Sequence, residues 1–132
     1  LFVCDADDVP AATASAWARR INGIPTGYVH YVGTRSGHDG KKLGYWVSAA
    51  ALHRMRDEGF TKAYLQTDDF RYPAVMTYLR LGFVPWVVDA NQFERWGTVL
   101  EALDASGDLA RQLAQHVREP VRPYAVDTET PV

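Results

Sequence analysis

Residues 33–46, GTRSGHDGKKLGYW, set two lysines between glycines, just after a β-prone run and just before a helix-like one. A strand that runs into a glycine turn and opens a helix has the ingredients of an anion site. The first helical N–H groups lack partners, and the positive end of the helix points into the turn. Gly40 and Gly44 allow close backbone approach, and Lys41 and Lys42 add charge. Standard nucleotide patterns do not fit. A P-loop needs glycine where Arg35 stands and Ser or Thr where Lys42 stands. A G-x-G-x-x-G fingerprint fails because Asp39 lies two residues after Gly37. Read alone, the turn is either an anion grip or a basic, solvated helix start.

The flanks extend this unit. YVHYVGT (28–34) is aromatic and β-branched and predicts a strand. After the turn, Leu43, Val47, Ala50, Ala51 and Met55 recur at helical spacing to about Glu58, and Gly59 is placed to end that helix. Upstream, LFVCD (1–5) and AATASAWA (11–18) predict strands. RRINGIPTG (19–27) reads as a loop with Asn22-Gly23 as a hairpin turn. LFVCD looks like a strand that begins mid-fold, so sequence before Leu1 is expected. Downstream, TKAYLQT (61–67) predicts a strand. Asp68 or Asp69 caps a helix carrying Pro73 in its first turn, with Ala74, Val75, Tyr78 and Leu79 on one face. Gly82 ends it, and FVPWVV (83–88) predicts a strand that Pro85 confines to an edge or bulge. Two helical stripes follow: Phe93, Trp96, Leu100 and Leu103, then Leu109, Leu113 and Val117. The tail 118–132 is read as loose, or as adding an edge strand at 121–126. The expected order is β-β-β-α-β-α-β followed by C-terminal helices, a mixed α/β sheet. Residues 1–90 would form the core, and 91–117 would pack on that core or form a homodimer surface.

Bulk composition narrows the classes. A chain of 132 residues fits one domain. A net charge of −2 argues against a general nucleic-acid binder, though a local basic patch can still hold a small anion. Cys4 is the sole cysteine, which rules out an internal disulfide and fits a reducing, cytoplasmic setting. No run of about 18 apolar residues predicts a membrane span. Cys4 reads as buried packing, and Trp17, Trp46, Trp86 and Trp96 read as core or interface residues. His53 and His116 read as helix-surface residues. His38-Asp39 lacks the spaced ligands of a metal site, so no metal is expected.

The segments GYVHYVGTRSGHDGKKLG (27–44) and EGFTKAYLQTDDFRYPAVMTYLRLGF (58–83) together resemble the GNAT superfamily of acyl-CoA N-acyltransferases. The first is similar to that family's strand and pyrophosphate turn, written Q/R-x-x-G-x-G/A. The second is similar to its A-x-x-x-Y-x-x-x-G-F unit, here Ala74, Tyr78, Gly82 and Phe83. Two positions depart: the family's Q/R falls at Asp39 and its middle glycine at Lys42, while Gly44 keeps its place. An acid at 39 weakens anion affinity if it faces the turn, and is absorbed by backbone N–H groups if it caps the helix. The family's first strand and two helices would precede Leu1.

The resemblance implies a GNAT-like fold and an N-acetyltransferase that moves acetyl from acetyl-CoA, as cosubstrate, to a small amine or a peptide amine. It implies pantetheine alongside Val32, Gly33 and Thr34. The diphosphate would lie over His38, Asp39, Gly40, Lys41, Lys42, Leu43 and Gly44, with basic help from Arg35 and with Arg71 near the CoA. Tyr78 is the candidate general acid, since a phenol with pKa near 10 is protonated at neutral pH; spacing alone favours a core tyrosine, and the resemblance favours the acid. His30 is the candidate base, with a titration range suited to an ammonium; the alternatives are a histidine satisfied within the sheet, or a water relay. Two rival functions are a non-catalytic CoA-binding module and the structural half of a tandem protein.

Overall fold

The computed structural model describes residues 1–118, which fall into two compact units, Leu1–Gln66 and the residues from Thr67 onward. The expected strand at 121–126 lies outside the described residues. In the first unit, β1 (Phe2–Cys4), β2 (Pro10–Ile21), β3 (Ile24–Thr34) and β4 (Ala63–Tyr64) form one sheet in that order. The first three strands are antiparallel, and β3 pairs β4 in parallel. Helix α1 (Leu43–Asp57) makes the β3-to-β4 crossover. This is the mixed α/β architecture expected.

Residues 19–27 are a correction. They are not a loop: β2 runs on to Ile21 and β3 starts at Ile24, with Ile21 and Ile24 in register. Only Asn22 and Gly23 turn, at φ 50° and 77°. Two positive φ values in a two-residue loop match the right-handed strand twist, which explains Asn-Gly here. Gly23→Ala should cost about 1–2 kcal/mol, the left-handed penalty of a Cβ; a thermal melt indistinguishable from the parent would contradict this turn.

One sheet face meets α1. Ala12, Ala14, Val47 and Ala51 form its centre, with Val3, Ala16, Val32 and Leu43 packed around them. Alanines on the sheet let the helix approach closely, and Gly27 takes this further by lying directly under Met55. Burying Val47 and Met55 contributes roughly 1.5–3 kcal/mol each. The end of α1 is a Schellman motif: the Phe60 N–H bonds the Met55 carbonyl at 3.0 Å and the Gly59 N–H bonds Arg56 at 2.9 Å. Gly59 has φ 90°, as its placement predicted.

In the second unit, α2 (Tyr72–Arg80), α3 (Ala90–Leu103) and α4 (Asp108–Leu113) follow one another. Two expectations fail here. Residues 83–88 form no strand: Pro85 has no N–H to give, and the Val88 N–H goes to Gln92 Oε1 at 3.0 Å instead of a ladder. Neither Asp68 nor Asp69 caps α2, because each is claimed by a guanidinium. Asp68 pairs with Arg71 at 2.9 Å, and Asp69 takes Arg95 at 2.6 and 2.7 Å. The stripe on α3 buries Leu100 together with Val99, while Phe93 stays exposed. Asp89 caps α3 by accepting from the Asn91 and Gln92 N–H groups.

Cys4, Trp17, Trp46 and Trp86 are exposed rather than core. Alternation on the short edge strand β1 turns Val3 inward and Cys4 outward. Among the described residues, no helix is long and apolar enough to cross a membrane.

Candidate active site

In the first unit the site starts at an irregularity in β3. Thr13 faces Gly33 and Ser15 faces His30, so Tyr31 and Val32 together oppose Ala14. This is a β-bulge, and Tyr31 takes φ 50° to make it. A bulky residue at positive φ is an outlier of the kind that gathers at functional sites. The extra residue resets the alternation. Val32 turns toward α1 and joins the core, while the exposed Tyr31 ring lies 3.9 Å from the His30 ring. His30 also stacks on Tyr28 at 4.6 Å and meets the edge of Trp17 at 5.2 Å. Tyr28 stacks on Tyr64, donates to Gln66 Oε1 at 3.4 Å, and carries the Arg19 guanidinium over its face. Burial pushes the Tyr28 phenol up, followed by the neighbouring Tyr64, with Arg19 opposing. His30 therefore stands partly exposed within an aromatic face of the sheet. At the bulge the ladder to β2 is interrupted, and on the other edge of β3 the pairing with β4 stops at Tyr28.

Beyond Thr34 the chain makes the turn. The Arg35 N–H bonds the Ala11 carbonyl at 2.8 Å, closing β3, and the His38 N–H bonds the Arg35 carbonyl at 3.2 Å. Gly37 and Gly40 take φ 82° and 75°. The N-cap of α1 is Lys42, at φ 57°, and no side chain caps the helix. Asp39 is exposed and does not fill that role, so the capping alternative falls. The left-handed backbone at 42 gives a physical reason for a glycine there in the family pattern; here lysine accepts the strain. Tyr45 and Trp46 N–H groups both reach the Lys42 carbonyl, at 3.1 and 3.2 Å. The N–H groups of Leu43 and Gly44 precede any helical acceptor and face outward into the turn. No acidic residue occupies the first helical turn.

Gly44 is informative in another way. A Cβ there would meet only Thr34 Oγ1, at 4.0 Å, so the fold itself has room for a side chain. A glycine inside a helix costs about 1 kcal/mol against alanine. Nothing in the packing around Gly44 calls for a glycine there.

The second unit holds Tyr78 and Arg71. Tyr78 is the third residue from the end of α2, and the Phe83 N–H bonds its carbonyl at 3.1 Å while the Gly82 N–H bonds Leu79 at 3.0 Å. The two rings meet edge to face at 6.2 Å. The Tyr78–Gly82–Phe83 spacing is thus a second Schellman cap with its apolar contact, so these residues have a structural task whatever their chemistry. Tyr78 is half-buried; burial pushes its phenol up, and the Arg71 charge pulls it partway back. Arg71 itself is held by Asp68 and lies over the Phe70 ring at 5.8 Å. The Arg95 fork holds the Asp69 carboxyl below its usual range, which leaves Asp69 ionised and paired rather than a proton donor.

Sequence reasoning missed two features: the Tyr31 bulge, and Asp5, which holds Arg35 at 2.5 Å. The Arg35 charge, expected to help an anion directly, is already engaged.

The sequence model described as the acetyltransferase (GNAT) family matches residues 1–83. The chain is 38% identical over 65 residues to a mycothiol acetyltransferase of Nocardia farcinica, covering 49% of this chain and 22% of that one. It is 33% identical over 70 residues to a mycothiol acetyltransferase of Thermomonospora curvata, covering 53% and 24%. The chain thus spans less than a quarter of the length of those relatives. In fold it is similar to an acetyltransferase of Trypanosoma brucei (TM-score 0.55, 19% identity, 67% of this chain and 63% of that one). A glucosamine-6-phosphate N-acetyltransferase of Arabidopsis thaliana is similar too (TM-score 0.56, 19% identity, 67% and 61%).

Proposed function

This chain belongs to the acetyltransferase (GNAT) family, and from that premise we propose that it transfers acetyl from acetyl-CoA to a primary amine by direct attack. The observation that carries the reading is the opening of α1. Its end is uncapped, free of acids, fronted by Lys41 and Lys42, and carries a glycine for which the packing gives no reason. Such an end suits a diphosphate. Pantetheine would run along Val32, Gly33 and Thr34, beyond the end of the β3–β4 pairing, and a backbone N–H there would polarise the thioester carbonyl.

The chemistry is then short. The amine nitrogen, once deprotonated, attacks the acetyl carbon; the C–N bond forms and the C–S bond breaks. The departing thiolate takes the Tyr78 proton, which a phenol carries at neutral pH and which burial holds more tightly. His30, or a water next to it, takes the ammonium proton. We favour a small amine over a peptide amine, because the relatives are named for mycothiol and one structural neighbour for glucosamine 6-phosphate. The activity is that of the whole protein.

Calorimetry with acetyl-CoA tests the reading, followed by turnover on a panel of small amines. Absence of binding at millimolar acetyl-CoA would sink it; binding with no turnover on any amine would favour a non-catalytic module. Lys42→Gly suits the left-handed backbone and removes the charged side chain. It should weaken acetyl-CoA about threefold at low salt, and the gap should close near 1 M salt, where screening is strong. A gap that persists at high salt would show that the lysine acts other than by its charge.

A further inference from the structure

We propose that Asp5 is a positioning residue for the diphosphate turn, acting through Arg35 and His38; this rests on the reading of that turn as a CoA site. One carboxylate ties two distant parts of the first unit. Its Oδ1 accepts the Asp7 and Val9 N–H groups at 3.1 and 3.0 Å, which shapes the loop between β1 and β2. Its Oδ2 takes an Arg35 terminal nitrogen at 2.5 Å. The same nitrogen lies 2.8 Å from His38 Nε2, and that ring nitrogen lies 3.8 Å from Asp5 Oδ2. A guanidinium only donates, so His38 presents a lone pair to it.

The three side chains therefore form a strap between the loop before β2 and the first half of the turn. Asp5 and His38 are the better-covered members, with side chains 18% and 14% exposed, while Arg35 bridges them from outside at 43%. The turn needs such a strap. Three of its residues, Gly37, Gly40 and Lys42, take left-handed backbone, and residues 39–42 are exposed. A flexible turn would have to be ordered by each arriving ligand, at an entropic cost that a fixed one has already met. Asp5 meets the turn at Arg35 and His38, so its effect on CoA passes through those two side chains.

Asp5→Asn separates the two duties. The amide oxygen still accepts from Asp7 and Val9, while the amide nitrogen cannot accept from Arg35. This substitution is expected to raise the KM for acetyl-CoA about fivefold with kcat within twofold, and to speed amide hydrogen exchange in residues 35–42 but not in α1. A double-mutant cycle distinguishes a strap from simple charge repulsion. In an Arg35→Gln background, Asp5→Asn should add less than twofold. Arg35→Gln alone provides the readout if the Asp5 variant fails to fold, and should reproduce the faster exchange. Unchanged KM and exchange in Asp5→Asn, or effects of the two substitutions that multiply, would overturn the proposal while leaving the CoA reading standing. A parent protein that binds no acetyl-CoA would overturn the CoA reading itself, and this role with it.

Discussion

Tyr78→Phe should lower kcat by about 10²-fold or more, the usual span for a lost general acid, and leave the acetyl-CoA dissociation constant within about twofold. This substitution is cleaner than most, because the structure shows what else Tyr78 does. Its carbonyl closes the Schellman cap and its ring meets Phe83 edge to face. Phenylalanine keeps both and removes only the hydroxyl. The melting temperature should therefore stay near the parent's, while Tyr78→Ala should lose stability and rate together.

The pH dependence carries a second signature. Burial raises the folded-state pKa of Tyr78 above its unfolded value of about 10. A raised pKa means that the folded state holds the proton more tightly. The corresponding stability is complete below pH 10 and is lost as pH climbs through the folded value. The parent should lose both rate and stability on that alkaline limb, and Tyr78→Phe should show less alkaline destabilisation. Unchanged turnover in the Phe variant would remove Tyr78 from the acid role.

Gly27→Ala should destabilise the first unit by about 2 kcal/mol, within the range for overpacking a filled core. A Cβ at 27 would lie 2.5 Å from Met55 Sδ, 3.1 Å from its Cγ and 3.4 Å from its Cε. Methionine is the most adaptable apolar side chain, but Met55 is almost fully enclosed and has little room to move. The same glycine pairs with Ala63, and its N–H bonds the Lys62 carbonyl at 2.9 Å, so lifting α1 there also strains the two-residue strand β4. The melting temperature should fall by roughly 5–8 °C. Gly27→Ala combined with Met55→Ala should cost less than the sum of the two, since one change makes the space that the other fills. A Gly27→Ala protein that melts with the parent would show that Met55 has another place to go.

Much of this was readable from residue types alone. Gly59 and Gly82 mark helix ends because only glycine takes the left-handed C′ position easily, and both do so at φ near 90°. The strand, turn and helix from 28 to 57 follow from periodicity and glycine placement. The hairpin arms were hidden because Arg19, Arg20 and Pro25 read as loop. In the fold the Arg19 guanidinium lies over Tyr28, and Pro25 sits one residue into a strand, where a missing N–H is tolerated. The strand expected at 83–88 had the right composition, but pairing needs donors, and Pro85 withholds one. The Asp5–Arg35 contact joins residues 30 apart in sequence with no local pattern to announce it. The Tyr31 bulge was invisible for another reason: every residue from 28 to 32 suits a strand, and an extra one leaves no mark on composition.

That bulge makes Tyr31 a separable part of β3. Above it, partner positions sum to 46, as in Thr13 with Gly33; below it they sum to 45, as in Ser15 with His30. A chain shortened by Tyr31 alone would restore one continuous register. Val32 would stay with the core and His30 would stay on the aromatic face, so neither surface of the sheet would be scrambled. Only the gap in the ladder would close, and the extra bend and twist that the bulge gives β3 would go with it. The deletion is thus an edit that could remove a function while leaving a better-paired sheet behind.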